Sequence, residues 1–504
     1  MIEFSFENLS DCVYHHAAEN PQAIALYEGH GTLSYGALAS LVSQAAVWLS
    51  ARGIKAHDRV GIALTHSMER VALALALMRI GAVGIELPSD INAASLAALV
   101  ARFELQASLT DAGGPVSPAK TALTIHVGWR EAVAQLTGDI RFEGDPEQLR
   151  LINLSSGSTG FPKGLVCTHK QRLVRSSITL STAAFYAHAR PGPLLLAAPA
   201  STNLVWGVLI NHLLLGGPIV LLPIFRHMID LVREAAHWDD AIFPVPPGIA
   251  RQMLAYAPKE ELLFPRMRAL VTAGQAIAGP DKLALSQRLT PNVHEFYGSG
   301  GVGMLSCIGP DELATQLKSV GRPAAYPGVE VQIIGPDGQP LPHGGIGQLR
   351  IRGPSTALRF FNPQDNDRGP ERFAGGWYYP GEIASINEAG YLILEGRMAD
   401  AIQNAGKTIY PQEIEDIIAQ HRHVSEAAVV GRPGVPQGSE DIVAFIVARP
   451  GFAHQDIMAY CHQKLAANKR PKYIYYLENM PRTGNGKIDR AALRTTPLKK
   501  IAPV

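Results

Sequence analysis

What most constrains the fold of this 504-residue chain is the way its apolar runs change period. A short apolar run over 60–64 (Val60-Gly-Ile-Ala-Leu64) is followed by a helical pattern over 67–80, and then by a second apolar run over 83–87. Strands that alternate with helices predict βαβ units and largely parallel sheets, hence an α/β class with layered sheets. From residue 329 the pattern changes to short strands between Gly/Pro turns such as Gly335-Pro-Asp-Gly338, as in a small β-subdomain. After Arg397 a compact α+β unit begins. There Pro411 opens a helix whose Ile414, Ile417 and Ile418 share a face, followed by strands over 426–431 and 442–448 and a helix over 456–467. A chain this long exceeds one ordinary core. The expected organisation is a large domain over 1–397 and a small one over 398–504.

Composition serves mainly to exclude. Net charge is near +1 with 18% charged residues, which is no footprint for nucleic acid. Four cysteines (Cys12, Cys167, Cys307, Cys461) show no paired spacing, so neither a disulfide framework nor a zinc site is expected. The N-terminus lacks the basic start and apolar run of a signal peptide. The strongly apolar stretch 193–223 is broken by Pro199, Asn203, Asn211, His212 and Gly216-Gly217-Pro218. A membrane span needs about 20 consecutive apolar residues, so a buried helix followed by a buried strand is expected, and a cytoplasmic location. Monomer and homodimer are both left open.

The chemistry concentrates in Leu154-Ser-Ser-Gly-Ser-Thr-Gly-Phe-Pro-Lys-Gly164, a glycine- and hydroxyl-rich loop after the apolar run Leu151, Ile152, Leu154. Gly157, Gly160 and Gly164 let the backbone bring N–H groups to an anion, Ser155, Ser156, Ser158 and Thr159 add hydroxyls, and Lys163 adds a charge. The inventory suits a polyphosphate. It is not a Walker A loop, because Gly164 follows Lys163 where Ser or Thr is required.

This loop resembles the phosphate-binding signature of the adenylate-forming superfamily, which includes acyl- and aryl-CoA ligases, peptide-synthetase adenylation domains and luciferases. Further segments resemble that family in its own order. They are Leu33-Ser-Tyr-Gly-Ala-Leu38, Gly81-Ala-Val-Gly-Ile-Glu-Leu-Pro88, Gly347-Gln-Leu-Arg-Ile-Arg-Gly-Pro354, Gly376-Trp-Tyr-Tyr-Pro-Gly-Glu382, Gly396-Arg397 with Ile409-Tyr-Pro-Gln-Glu-Ile-Glu415, and Pro481-Arg-Thr-Gly-Asn-Gly-Lys-Ile-Asp-Arg490.

The resemblance implies roles. Lys487 bridges the attacking carboxylate and the α-phosphate, while Lys163 and its loop hold the β- and γ-phosphates. Tyr297, in Glu295-Phe-Tyr-Gly-Ser299 with Gly298, stacks on adenine, and Glu295 accepts from the adenine amino group. Ala273-Gly274-Gln275 flanks the base on its other side. Glu382 accepts from the ribose hydroxyls, Arg397 reaches ribose or phosphate, and Gly406 lines the entry of the thiol after rotation of a mobile small domain. Where the family commonly has a threonine on the α-phosphate and a glutamate on Mg2+, this chain has Gly300 and Gly301, and the usual hinge residue is Ala399, beside Asp400. A glutamate restored at Gly301 is expected to raise Mg2+ affinity.

For the acid, Trp206, Phe243, Val245 and Ile249 suggest apolar walls beside Gly300-Gly301. No acidic residue lies between Pro199 and Pro223 or between Ile242 and Leu254, so an α-ammonium would be buried without a partner. The implied reaction is AMP-forming activation of an aryl or alkyl acid with ATP and Mg2+, followed by transfer to CoA. Two alternatives remain: transfer to the pantetheine of a carrier protein in trans, and a nucleotide- or acyl-adenylate-binding protein with impaired catalysis.

Overall fold

The computed structural model describes residues 2–142, 147–155, 162–188, 191–197, 203–275, 277–367, 369, 371–404, 407–434, 439–482 and 488–495. One sheet has six strands in the spatial order Thr121–Ile125, Ala107–Asp111, Arg59–Ala63, Val83–Glu86, Leu149–Ser155 and Lys163–Thr168. Its neighbours run parallel except for the last pair, an antiparallel hairpin. A second sheet has nine strands, in the order Arg322–Pro323, Gly303–Ile308, Val293–Ser299, Ala269–Ala273, Ile242–Val245, Leu194–Leu196, Ile219–Leu221, Ile24–Glu28 and Gly31–Ser34. The interior pairs are parallel, and antiparallel strands close both ends.

The strand period of two sorts the nine-stranded sheet's side chains into two cores. Leu194, Leu196, Ile219, Leu221, Ile242 and Val271 face a core shared with helices Tyr35–Ala51 and Met68–Arg79 and with Val60, Ile62 and Leu109 of the six-stranded sheet. The two helices are therefore held between the sheets. Leu195, Val220, Phe243, Val245 and Leu270 face the other way, onto helices Met228–Ala236 and Gly279–Arg288.

Helix Met68–Arg79 shows how the sequence brings this about. Ser67 caps it by accepting from the Arg70 N–H. Because the helix lies between two sheets it is buried nearly all round. Each fully buried Val or Leu on it contributes about 1.5–3 kcal/mol. Its two arginines are paired, Arg70 with Glu86 at 2.5 Å and Arg79 with Asp139 at 2.6 Å.

The expected elements are found within a residue or two: strand Arg59–Ala63, helix Met68–Arg79, strand Val83–Glu86 and helix Pro411–Ala419 with its proline in the first turn. Stretch 193–223 contains strand Leu194–Leu196, helix Asn203–Leu214 and strand Ile219–Leu221. No helix among the described residues is long and apolar enough to cross a membrane. All four cysteines are free, three of them buried.

From residue 330 an antiparallel sheet of six strands contains Gly347–Arg352, Glu382–Ile386 and Leu392–Arg397. Beyond it, strands Val424–Pro433, Glu440–Ala448 and Tyr473–Tyr476 form a three-stranded sheet over a core of Ile402, Ile414, Ile418, Val429 and Ile446. Arg490 is clamped there, donating to Glu415 at 2.5 and 2.9 Å and to the Val429 carbonyl at 2.8 Å. Asp400 pairs with Arg490 at 3.4 Å and with Arg494 at 3.0 Å. The stretch just after Lys487 is thus fixed both to the small core and to the segment where the sequence places the hinge.

Candidate active site

The hairpin Leu149–Ser155/Lys163–Thr168 projects from the edge of the six-stranded sheet, with Ser155 opposite Lys163. Of the loop residues singled out above, Ser156, Gly157, Ser158, Thr159 and Gly160 lie outside the described residues, as do Gly406 and Lys487. The flanks of Lys487 are described, and Arg482 and Ile488 meet in an antiparallel bridge.

Lys163 is buried. Its Nζ donates to the Glu371 carbonyl at 3.0 Å and stands 4.7 Å from the centre of the Phe360 ring. The ammonium therefore helps hold the segment around Glu371 against the hairpin. Gly164 has a packing reason, since a Cβ there would lie 2.5 Å from Phe103 Cε1 and 2.6 Å from Ile152 Cγ2.

Three expected nucleotide residues do come together. Glu382 and Arg397 are partners across adjacent strands, with Arg397 Nε 3.3 Å from Glu382 Oε1. The buried Tyr297 hydroxyl sits in their field and has no hydrogen-bond partner among the described residues. Burial first, then the Glu382 charge, raises its pKa. Ala273 is the register partner of Phe296, so the turn at Gly274-Gln275 opens beside the strand of Tyr297. Gly274 has φ +85° with open space around it, so there the backbone conformation, not crowding, calls for glycine.

Other expectations are corrected. Glu295 is not free for an adenine amino group. It is buried with Lys282, Nζ to Oε2 at 2.5 Å, on the sheet face that packs against helix Gly279–Arg288. Lys282 also donates to the Ser319 carbonyl at 2.7 Å. Burial pushes the Glu295 carboxyl up to about 7 despite the lysine. Trp206, Phe243 and Val245 do not line one pocket, because Trp206 belongs to the core between the sheets while Phe243 and Val245 belong to the core on the opposite face. The period-two spacing of Phe243 and Val245 reads the same for a core as for a pocket.

Gly301 has no room for a carboxylate. A Cβ there would lie 2.3 Å from Tyr378 Cζ, and Tyr378 is itself 1% exposed. Gly301→Glu is therefore expected to cost about 1–3 kcal/mol by overpacking, without raising Mg2+ affinity. Urea unfolding of the variant beside the unsubstituted chain checks this, and an unchanged midpoint would mean that the Tyr378 ring gives way to the new side chain.

The sequence reading missed what surrounds Gly301. Tyr378 accepts from Ser299 Oγ at 3.2 Å and donates to Glu371 Oε1 at 2.7 Å. The buried Arg175 donates to the carbonyls of Ser355 (2.8 Å), Gly300 (3.1 Å) and Gly301 (2.9 Å), which pins the turn. Tyr378 stood in a motif already noted. For Arg175, the only signal was a pair of arginines three apart on a largely polar helix.

Known proteins resemble the chain at every level. The family model described as AMP-binding enzyme matches residues 13–361, and that described as AMP-binding enzyme C-terminal domain matches 413–487. A long-chain-fatty-acid–CoA ligase of Escherichia coli O6:H1 is 27% identical over 364 residues, covering 71% of this chain but only 63% of that protein. A 2-succinylbenzoate–CoA ligase of Bacillus cytotoxicus is 26% identical over 97% of this chain and 98% of its own length. The crystal structure of ATP-bound MatB from Rhodopseudomonas palustris superposes with a TM-score of 0.86 at 24% identity, over 97% of this chain and 98% of that one, a likeness of fold.

Proposed function

The chain belongs to the AMP-binding enzyme family, and from that premise we propose that it is an AMP-forming acid–thiol ligase. It activates an aryl or alkyl carboxylic acid, not an α-amino acid, to an acyl-adenylate and passes the acyl group to CoA. The observation that carries the reading is the meeting of Tyr297, Glu382 and Arg397 beside the turn at Gly274-Gln275. Segments far apart in sequence there form an aromatic face, a two-acceptor carboxylate and a guanidinium, which suits a nucleoside monophosphate. The names of the fatty-acid and succinylbenzoate CoA ligases support CoA as the acceptor.

The chemistry must bring two anions together. Unit charges 4 Å apart repel by about 1 kcal/mol in water and by several times that in a drier site. Lys487 relieves that repulsion and stabilises the charge that develops on transfer. Arg397, held by Glu382, orients the nucleotide.

Magnesium, when bound with ATP, neutralises phosphate charge and keeps several waters. Gly301 cannot supply it a ligand. Glu371 can, because Tyr378 orients its carboxylate and its carbonyl is tied to Lys163 at the hairpin's end. Glu371→Gln is expected to weaken Mg2+-dependent ATP binding about tenfold, within the range for lost metal-site partners. Calorimetric titration of ATP at several Mg2+ concentrations measures it.

Pyrophosphate release with ATP and Mg2+, across a panel of acids with and without CoA, tests the function. Turnover that requires CoA and yields a thioester is the expected result. Adenylate formation indifferent to CoA would instead favour a carrier protein, and ATP binding without any release would overturn the ligase reading.

A further inference from the structure

Three arginines, Arg150, Arg172 and Arg175, are buried, and among the described residues none is ion-paired to a carboxylate. Helix His169–Thr182 follows the loop hairpin directly and is closed at its start by a capping box between Thr168 and Gln171. Arg172 and Arg175 are three residues apart on it, so they leave on one side. Arg150 comes from strand Leu149–Ser155.

Hydrogen bonds locate two of them, and Arg150 lies within the field of Arg172. Arg172 Nη2 donates to the Gly207 carbonyl at 2.6 Å and to Asn211 Oδ1 at 2.9 Å, on the helix that carries Trp206. Arg175 reaches the Gly300 and Gly301 carbonyls. The arginine face therefore runs between the Trp206 helix and the Gly300-Gly301 turn. Arg150 Nε, Arg172 Nε and Ser176 Oγ are buried with no hydrogen-bond partner among the described residues.

The electrostatics point the same way. Burial first, then Arg150 and Arg175, push Arg172 down to about 9, and burial pushes Arg150 down to about 10. The acid within Arg150's field, Glu86, is already bonded to Arg70. Like charges gathered out of water are costly unless an anion joins them. Waters would satisfy the idle N–H groups but would not offset the charge.

We infer that this face receives a second carboxylate of the acid substrate, so that the preferred substrate is a dicarboxylic acid: one carboxylate is adenylated, and the other is held by Arg150 and Arg172. The inference rests on the ligase reading for the fate of the first carboxylate only. A monocarboxylate of the same skeleton leaves the guanidinium groups unanswered, and sites built around a polar substrate group reject analogues lacking it by up to about 10⁴–10⁵-fold.

The test uses the whole protein with AMP present. Calorimetry measures binding of malonate, succinate, glutarate, adipate and the phthalates, each beside the matched monocarboxylate, and pyrophosphate release follows the same pairs. For at least one pair, the dicarboxylate is expected to bind and react at least about 100-fold better. Equal or better handling of monocarboxylates throughout overturns the inference while leaving the ligase intact. Arg150→Met is expected to bring the preference below about tenfold, and an unchanged preference in the folded variant also overturns it. If no acid releases pyrophosphate, the ligase reading fails, and calorimetry still decides. Dicarboxylate binding weakened by Arg150→Met supports the anion site, and no dicarboxylate binding removes it. The wild-type comparison stands even if the variant does not fold.

Discussion

Lys487→Ala is expected to lower adenylate formation by about 10²–10³-fold while ATP affinity changes little. The argument is one of differential binding. A lysine that meets both the carboxylate and the α-phosphate acts most strongly when the two are close, which happens on the way to the transition state. In the proposed mechanism its loss falls on the rate, because nucleotide binding is assigned there to other residues. Pyrophosphate release and calorimetric ATP binding, measured together, separate the two. A variant with unchanged turnover would remove Lys487 from the mechanism. The clamp of Arg490 on Glu415 and Asp400 makes the comparison clean, because the residues just after Lys487 keep their anchorage whatever side chain stands at 487.

The largest stability effect is expected at Lys282→Met, about 3–5 kcal/mol, because removing one partner of a buried pair strands the other charge. Lys282 and Glu295 are 1% and 2% exposed. The double variant Lys282→Met/Glu295→Leu, which removes both charges, is expected to recover most of the loss. The pH dependence has a definite sign. In the folded chain Glu295 keeps its proton up to about 7, above the unfolded value near 4.5, so between those limits the folded state binds more protons than the unfolded one. Stability contributed this way is complete below about 4.5 and is lost as pH rises through about 7. Without Lys282 the shift grows, so the single variant is expected to gain stability from pH 8 to pH 5. Urea unfolding across that range measures it, and a flat profile would sink the account.

The layered α/β architecture was legible because its signals are local. The run over 60–64, the helical pattern over 67–80 and the run over 83–87 are each set by neighbours in sequence, and each appears within a residue or two. The hydroxyl-rich loop and the segments that carry Tyr297, Glu382 and Arg397 drew notice for a second reason, that they stand in recurrent motifs, but nothing in those motifs says that Glu382 and Arg397 pair across adjacent strands. What escaped was settled by sheet facing and by contacts between distant segments. Nothing near Glu295 in sequence announces Lys282. Phe243 and Trp206 look alike as apolar residues until the sheet between them assigns opposite faces. Gly301 reads as a lost ligand until the ring of Tyr378 is found in the space.

The nine-stranded sheet also bears on how the chain is made. Ile24–Glu28 pairs with Ile219–Leu221, roughly 190 residues further along. At about 5–20 residues per second, the ribosome supplies that partner only after about 10–40 s. Until then the N-terminal hairpin Ile24–Glu28/Gly31–Ser34 presents an open edge, an invitation to other nascent chains. Slower growth at low temperature, or a chaperone that covers the first two hundred residues, should therefore raise the yield of soluble protein more than any change to the C-terminal unit, whose strands lie close together in sequence.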